Sequence, residues 1–155
     1  MKRDGVMLAL MAVCVVTLSA QNAPDFSGTW VLNTAKSQNI GMMSALQDTI
    51  TVTQTAREIV VRHATSFQGQ AGSREVRYDL AGKTGTNEGP MGDRNETVSK
   101  WVGEKLVTTW TKDGAVAGTR SVMTETCSLT PDKKTLTLAS VRGDNAPVVM
   151  VFEKR

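Results

Sequence analysis

From residue 48 onward the chain alternates apolar and polar positions in short runs, the period-two pattern of strands with one buried face. Thr49-Ile50-Thr51-Val52-Thr53 places Ile50 and Val52 on one face. In Glu58–Thr65, Ile59, Val61 and His63 share one side, and Val60 and Arg62 the other. Glu75–Leu80 alternates with Val76, Tyr78 and Leu80 inward. Further runs occur at Asn95–Val102, Lys105–Lys112, Thr119–Leu129, Lys134–Arg142 and Pro147–Lys154, and Phe26–Asn33 reads as a first strand. Turn residues punctuate them at Val102-Gly103-Glu104, Lys112-Asp113-Gly114, Thr130-Pro131-Asp132 and Arg142-Gly143-Asp144. Ala81–Arg94, with four glycines and a proline, reads as a mobile loop or an irregular hairpin. Only Ala35–Leu46 has helical character: Ile40, Met43 and Leu46 could share a helical face, which Gly41 weakens, so a short helix or irregular lid is expected.

About nine strands in roughly 135 residues, nearly all joined by hairpins, define an all-β domain. An antiparallel meander of that length must close or split into two sheets to hide its edges. A closed up-and-down barrel of about eight to ten strands leaves room for a small cavity, whereas a filled sandwich has none. The pattern alone does not separate the two.

The N-terminus reads differently. Met1-Lys2-Arg3-Asp4 precedes an apolar run from Val6 to Val16, and Ser19-Ala20 offers a cleavage site. Residues 1–20 are therefore expected to be a signal peptide and 21–155 the mature domain, secreted or periplasmic. The apolar run is shorter than the roughly 20 residues a membrane span needs. Its loss removes Cys14 and leaves Cys127 as the mature chain's one cysteine, a small buried hydrophobe on its strand. The whole chain has 18 basic and 15 acidic residues, which become 16 and 14 without Lys2, Arg3 and Asp4. Basic and acidic residues interleave, so neither nucleic acid nor an anionic membrane is implied. One histidine and two cysteines rule out a Cys/His zinc site, and no motif calls for a metal or cofactor.

Asp25-Phe26-Ser27-Gly28-Thr29-Trp30 resembles the Gly-x-Trp motif that opens the first strand of lipocalins and related calycin barrels. Asn33-Thr34-Ala35-Lys36-Ser37 is similar to the stretch just after that motif in small exported bacterial lipocalin-like proteins. The resemblance implies a calycin barrel in which Gly28 allows a tight backbone entry and Trp30 plugs the closed end. It also implies a cation over that tryptophan from the end of the last strand, Lys154 or Arg155. Fatty-acid-binding relatives carry Arg-x-Tyr on the final strand to hold a carboxylate, and the corresponding positions here are Met150-Val151-Phe152. An apolar or neutral ligand is expected instead.

If the barrel is hollow, Tyr78 and Trp110 are the expected aromatic walls, with Arg120 and His63 as polar groups facing the ligand. Arg120 is placed on the face of Val122 and Thr124, and Trp110 on that of Leu106 and Thr108. Otherwise Tyr78 and Trp110 fill the core, Arg120 sits at a solvated rim and His63 makes one ordinary hydrogen bond. Three functions are compatible with this pattern: an exported carrier of a small apolar molecule, a filled barrel that binds an envelope or secreted protein, or an enzyme using the lumen as its chamber. A His63 paired with an acidic side chain inside the lumen would favour the last. No catalytic residue is assigned.

Overall fold

The computed structural model describes residues 23–155; the expected signal peptide lies outside them. Ten strands are formed: β1 (Gly28–Leu32), β2 (Leu46–Gln54), β3 (Glu58–Phe67), β4 (Gln70–Asp79), β5 (Gly85–Glu88), β6 (Arg94–Val102), β7 (Lys105–Asp113), β8 (Arg120–Leu129), β9 (Thr135–Arg142) and β10 (Val148–Lys154). They make one antiparallel sheet in the order β4-β3-β2-β1-β10-β9-β8-β7-β6-β5. Every hydrogen-bonded neighbour is also a sequence neighbour except β1 and β10, where Trp30 lies opposite Lys154 and Leu32 opposite Phe152. The turns explain this order. Val102 pairs with Lys105 across a two-residue loop whose first residue, Gly103, has φ +59°, the conformation a tight hairpin needs there.

The sheet curls until its two ends, β4 and β5, lie side by side, but no backbone ladder joins them. Side chains bridge the seam instead. Asn87 on β5 accepts from the Arg77 amide at 2.8 Å and donates to the Arg77 carbonyl at 2.8 Å. A third bond, at 2.8 Å, runs from Asn87 to the Thr97 hydroxyl. Arg74 adds a 3.3 Å bond to the Glu88 carbonyl. The barrel is thus nearly closed, with one asparagine mimicking a strand across the gap.

One end is plugged. Trp30 is fully buried and donates from Nε1 to the Phe26 carbonyl at 2.9 Å, while the Phe26 ring packs on Trp101 with centroids 5.5 Å apart. Gly28 has φ +138°, which disfavours any side chain, and a Cβ there would come within 3.2 Å of Lys154. The cation over Trp30 is Lys154, 5.2 Å from the ring centroid. Arg155, expected as its equal, is exposed and contributes only its backbone amide, donated to Thr29. The plug, Ile50, Val52, Ile59, Val76, Tyr78, Leu106, Trp110, Leu136 and Phe152 form one buried cluster.

Two expectations change. The segment before β2 forms no α-helix, only a 3-10 turn at Gly41–Ala45 with no buried residue, and Leu46 begins β2 rather than ending a helix. The Ala81–Arg94 loop contains β5, so it is the irregular hairpin rather than a loose connection. Among the described residues no helix is long and apolar enough to cross a membrane.

Candidate functional site

Alternation fixes which side chains enter the lumen, and two walls differ in character. Strands β1–β3, β9 and β10 send in mainly apolar groups, including Ile50, Val52, Ile59, Leu136 and Phe152. Strands β5–β7 add buried Asn87, Thr97, Ser99 and Thr108, and Ser99 and Thr108 share a 2.9 Å hydroxyl bond. Toward the open end, the inward-facing Met123, Leu138 and Met150 keep partial exposure, so solvent reaches the inner wall there. Deeper, the side chains of Phe26, Ile59, His63, Tyr78, Glu125 and Phe152 surround a cavity of about 30 Å³. That holds a water-sized occupant and is well below the ~300 Å³ of a typical ligand pocket.

Glu125 is the unexpected member of this wall. It enters from β8, is buried, and its Oε1 accepts from Tyr78 Oη at 2.9 Å and Trp110 Nε1 at 3.2 Å. The two donor rings meet edge-to-face, with centroids 6.3 Å apart. Among the described residues no group donates to Oε2, although Glu125 lines the cavity. Burial raises the Glu125 carboxyl above its ordinary range, and the Tyr78 and Trp110 bonds only partly oppose that. Burial, reinforced by Glu125, likewise holds the Tyr78 hydroxyl protonated well past its usual range. Cys127 shares this wall; burial first, then Glu125, push its thiol well above its ordinary range, which disfavours the thiolate.

A second polar group lies beside it. His63 Nδ1 and Asp48 Oδ2 are 2.8 Å apart, both buried, and Arg74 Nη2 is 3.4 Å from His63 Nε2. A guanidinium only donates, so Nε2 is the acceptor and Nδ1–H donates to Asp48; the tautomer is set by these partners. Asp48 Oδ1 is buried with no partner among the described residues. The lumen therefore does contain a histidine paired with an acid. Its second nitrogen faces the Arg74 guanidinium.

Of the sequence candidates, Tyr78 and His63 line the cavity, and Trp110 stands behind Glu125 in the core. Arg120 does not enter the lumen. It is exposed on the outer face and forms ion pairs with Glu96 at 2.7 Å and Asp113 at 3.6 Å. The faces of this strand are the reverse of those expected: Val122 is exposed, and Met123, Glu125 and Cys127 point inward. Asp48, Arg74 and Glu125 are site residues that the sequence pattern does not single out. Only Asp48 carries a usable signal, since it lies two residues before Ile50 on the same face.

No family model matches the chain, and no curated protein sequence does. Solved structures do match in fold. The REP1-NXSQ fatty acid transporter superposes with a TM-score of 0.65 at 12% identity, covering 84% of this chain and 96% of that one. Lipid binding protein 8 of Caenorhabditis elegans gives 0.65 at 12% identity, covering 84% and 95%. Fatty-acid-binding protein 1 of Echinococcus granulosus gives 0.64 at 14% identity, covering 83% and 96%. The chain is an all-β, ten-stranded, nearly closed barrel of the calycin type. At such identities the likeness is one of fold.

Proposed function

We propose that this barrel is an exported binding protein that sequesters a small apolar or neutral molecule in its lumen. The observation that carries the reading is Glu125, a buried carboxyl on an otherwise largely apolar cavity wall, with one oxygen held by Tyr78 and Trp110 and the other free. Burying such a group opposes folding, and the plug and core at the closed end do not require it. A binding role accounts for it. The names of the fold neighbours, two fatty-acid binders or transporters and a lipid binder, point the same way. Export rests on the basic start and apolar run of residues 1–20.

The mechanism is burial. A ligand entering at the open end displaces Met123, Met150 and Leu138, whose flexible side chains can enlarge the small cavity. It then gains about 25 cal/mol per Å² of apolar surface removed from water, less the loss of its freedom. Native mass spectrometry of the protein purified from the compartment to which its host exports it tests the reading. The expected result is a reproducible small-molecule adduct lost on denaturation; a bare protomer that also fails to take up added apolar compounds refutes it.

One observation favours a second reading, a filled barrel that docks on another protein. The cavity is small, and at the open end Met42, Met91 and Val116 are exposed on three connections and Phe67 at the end of β3. A stoichiometric protein partner recovered with an empty lumen would establish that reading.

A further inference from the structure

We infer that the ligand of this lumen is a neutral molecule carrying a hydrogen-bond donor, a hydroxyl, that meets the free oxygen of Glu125. The inference rests on the carrier reading and specifies its ligand class. Tyr78 and Trp110 both donate to Oε1 and so fix the carboxyl's orientation, and Oε2 takes no bond from any described residue. Tyr78 has given its only proton to Glu125, and Trp110 has likewise given its indole N–H. The Thr108 hydroxyl shares one hydrogen bond with Ser99, and the His63 nitrogens face Asp48 and Arg74. The charged-group acceptor left without a donor at the cavity is thus Glu125 Oε2.

Other charges bear on this choice. Arg74 on β4 is a cation whose field favours the charged form of Glu125, and Cys127 lies two residues along β8. Arg74 sits next to His63 and is directed to the seam, where it bonds the Glu88 carbonyl. A ligand carboxylate at the cavity would face Glu125, with Asp48 buried behind His63. A hydroxyl can donate to the carboxylate or accept from its protonated form, and so fits Glu125 in either state.

The test uses 1-octanol, octylamine and octanoate, which share a chain and differ in head group, titrated into wild type and Glu125→Gln. Glutamine keeps the shape and can still accept from Tyr78 and Trp110, but presents an amide donor where the free oxygen was. In wild type, octanol should bind at least about tenfold more tightly than octanoate, the scale of one charge-assisted hydrogen bond. In Glu125→Gln, octylamine should weaken about tenfold and octanoate should gain. Octanoate or octylamine binding tightest in wild type, or a head-group order unchanged by Glu125→Gln, overturns this inference and leaves the carrier reading standing. Binding of none of the three, together with no adduct in the native spectrum, overturns both.

Discussion

If Trp30 plugs the barrel, replacing it with alanine should remove a calculable amount of stability. The side chain is fully buried, and an indole of this kind removes roughly 200 Å² from water, worth about 5 kcal/mol at 25 cal/mol per Å². Alanine recovers a small part of that. The Phe26 carbonyl also loses its indole donor, about 1 kcal/mol, and Lys154 loses its ring partner, about 0.5 kcal/mol. Partial collapse of the neighbouring side chains returns some of the loss, which places Trp30→Ala at about 4–5 kcal/mol. Urea unfolding followed by far-ultraviolet circular dichroism reads this as a midpoint lowered by about 2 M, for a slope near 2 kcal/mol per M. Trp30→Phe keeps a ring and loses the N–H, so about 1–2 kcal/mol is expected from the hydrogen bond and reduced burial. A loss below about 1 kcal/mol for Trp30→Ala would refute the plug.

Other consequences stem from single contacts. Glu125 titrates above its ordinary value of 4.5 in the folded chain, so its contribution to stability is full below that pH and declines as pH rises through the folded value. Glu125→Gln should therefore gain in melting temperature over wild type as pH rises from about 5 to about 8, and a difference independent of pH contradicts the assignment. Asp93, held down to about 2 by Lys112 and Asn95, acts in the opposite sense, losing its contribution only as pH falls from its ordinary 3.8 through about 2. Asn87→Ala removes both bonds to the Arg77 backbone and should cost about 2–3 kcal/mol. Hydrogen exchange at the Arg77 amide should accelerate most, and unchanged protection there would show that the seam is held otherwise. Cys127 should react with iodoacetamide at least about a hundredfold more slowly in the native protein than in urea, since burial disfavours its thiolate; equal rates would place the thiol in the open.

Much of this barrel is legible where one face of a strand is apolar and the other polar. Thr49–Thr53 and Glu75–Leu80 are such segments, and the structure places their apolar residues in the core. The pattern fails where that contrast is weak. On β8 the outer face carries Val122 and the inner face Glu125, so hydrophobicity points the wrong way and assigns Arg120 to the lumen. The four residues of β5 lie among glycines, and their one buried side chain is an asparagine that bonds the backbone across a gap. Gln70–Arg74 extends β4 with no large apolar residue, because that half of the strand is largely exposed. Glu125 escapes for a related reason. An acid in an alternating strand reads as its solvent face unless its partners, here Tyr78 and Trp110 on other strands, are already known.

The pairing of β1 with β10 has a kinetic consequence. All the other ladders join strands adjacent in the chain, so each can form locally once its hairpin closes. The β1–β10 ladder joins residues such as Leu32 and Phe152, 120 positions apart, and closing that loop costs about 3 kcal/mol more than closing a four-residue hairpin. The two local meanders, β1–β4 and β5–β10, can therefore take shape before they meet. Trp30, opposite Lys154 in that late ladder, reaches its final packing with the step that joins them. The residue that seals one end of the lumen is thus placed to report the slowest encounter in folding.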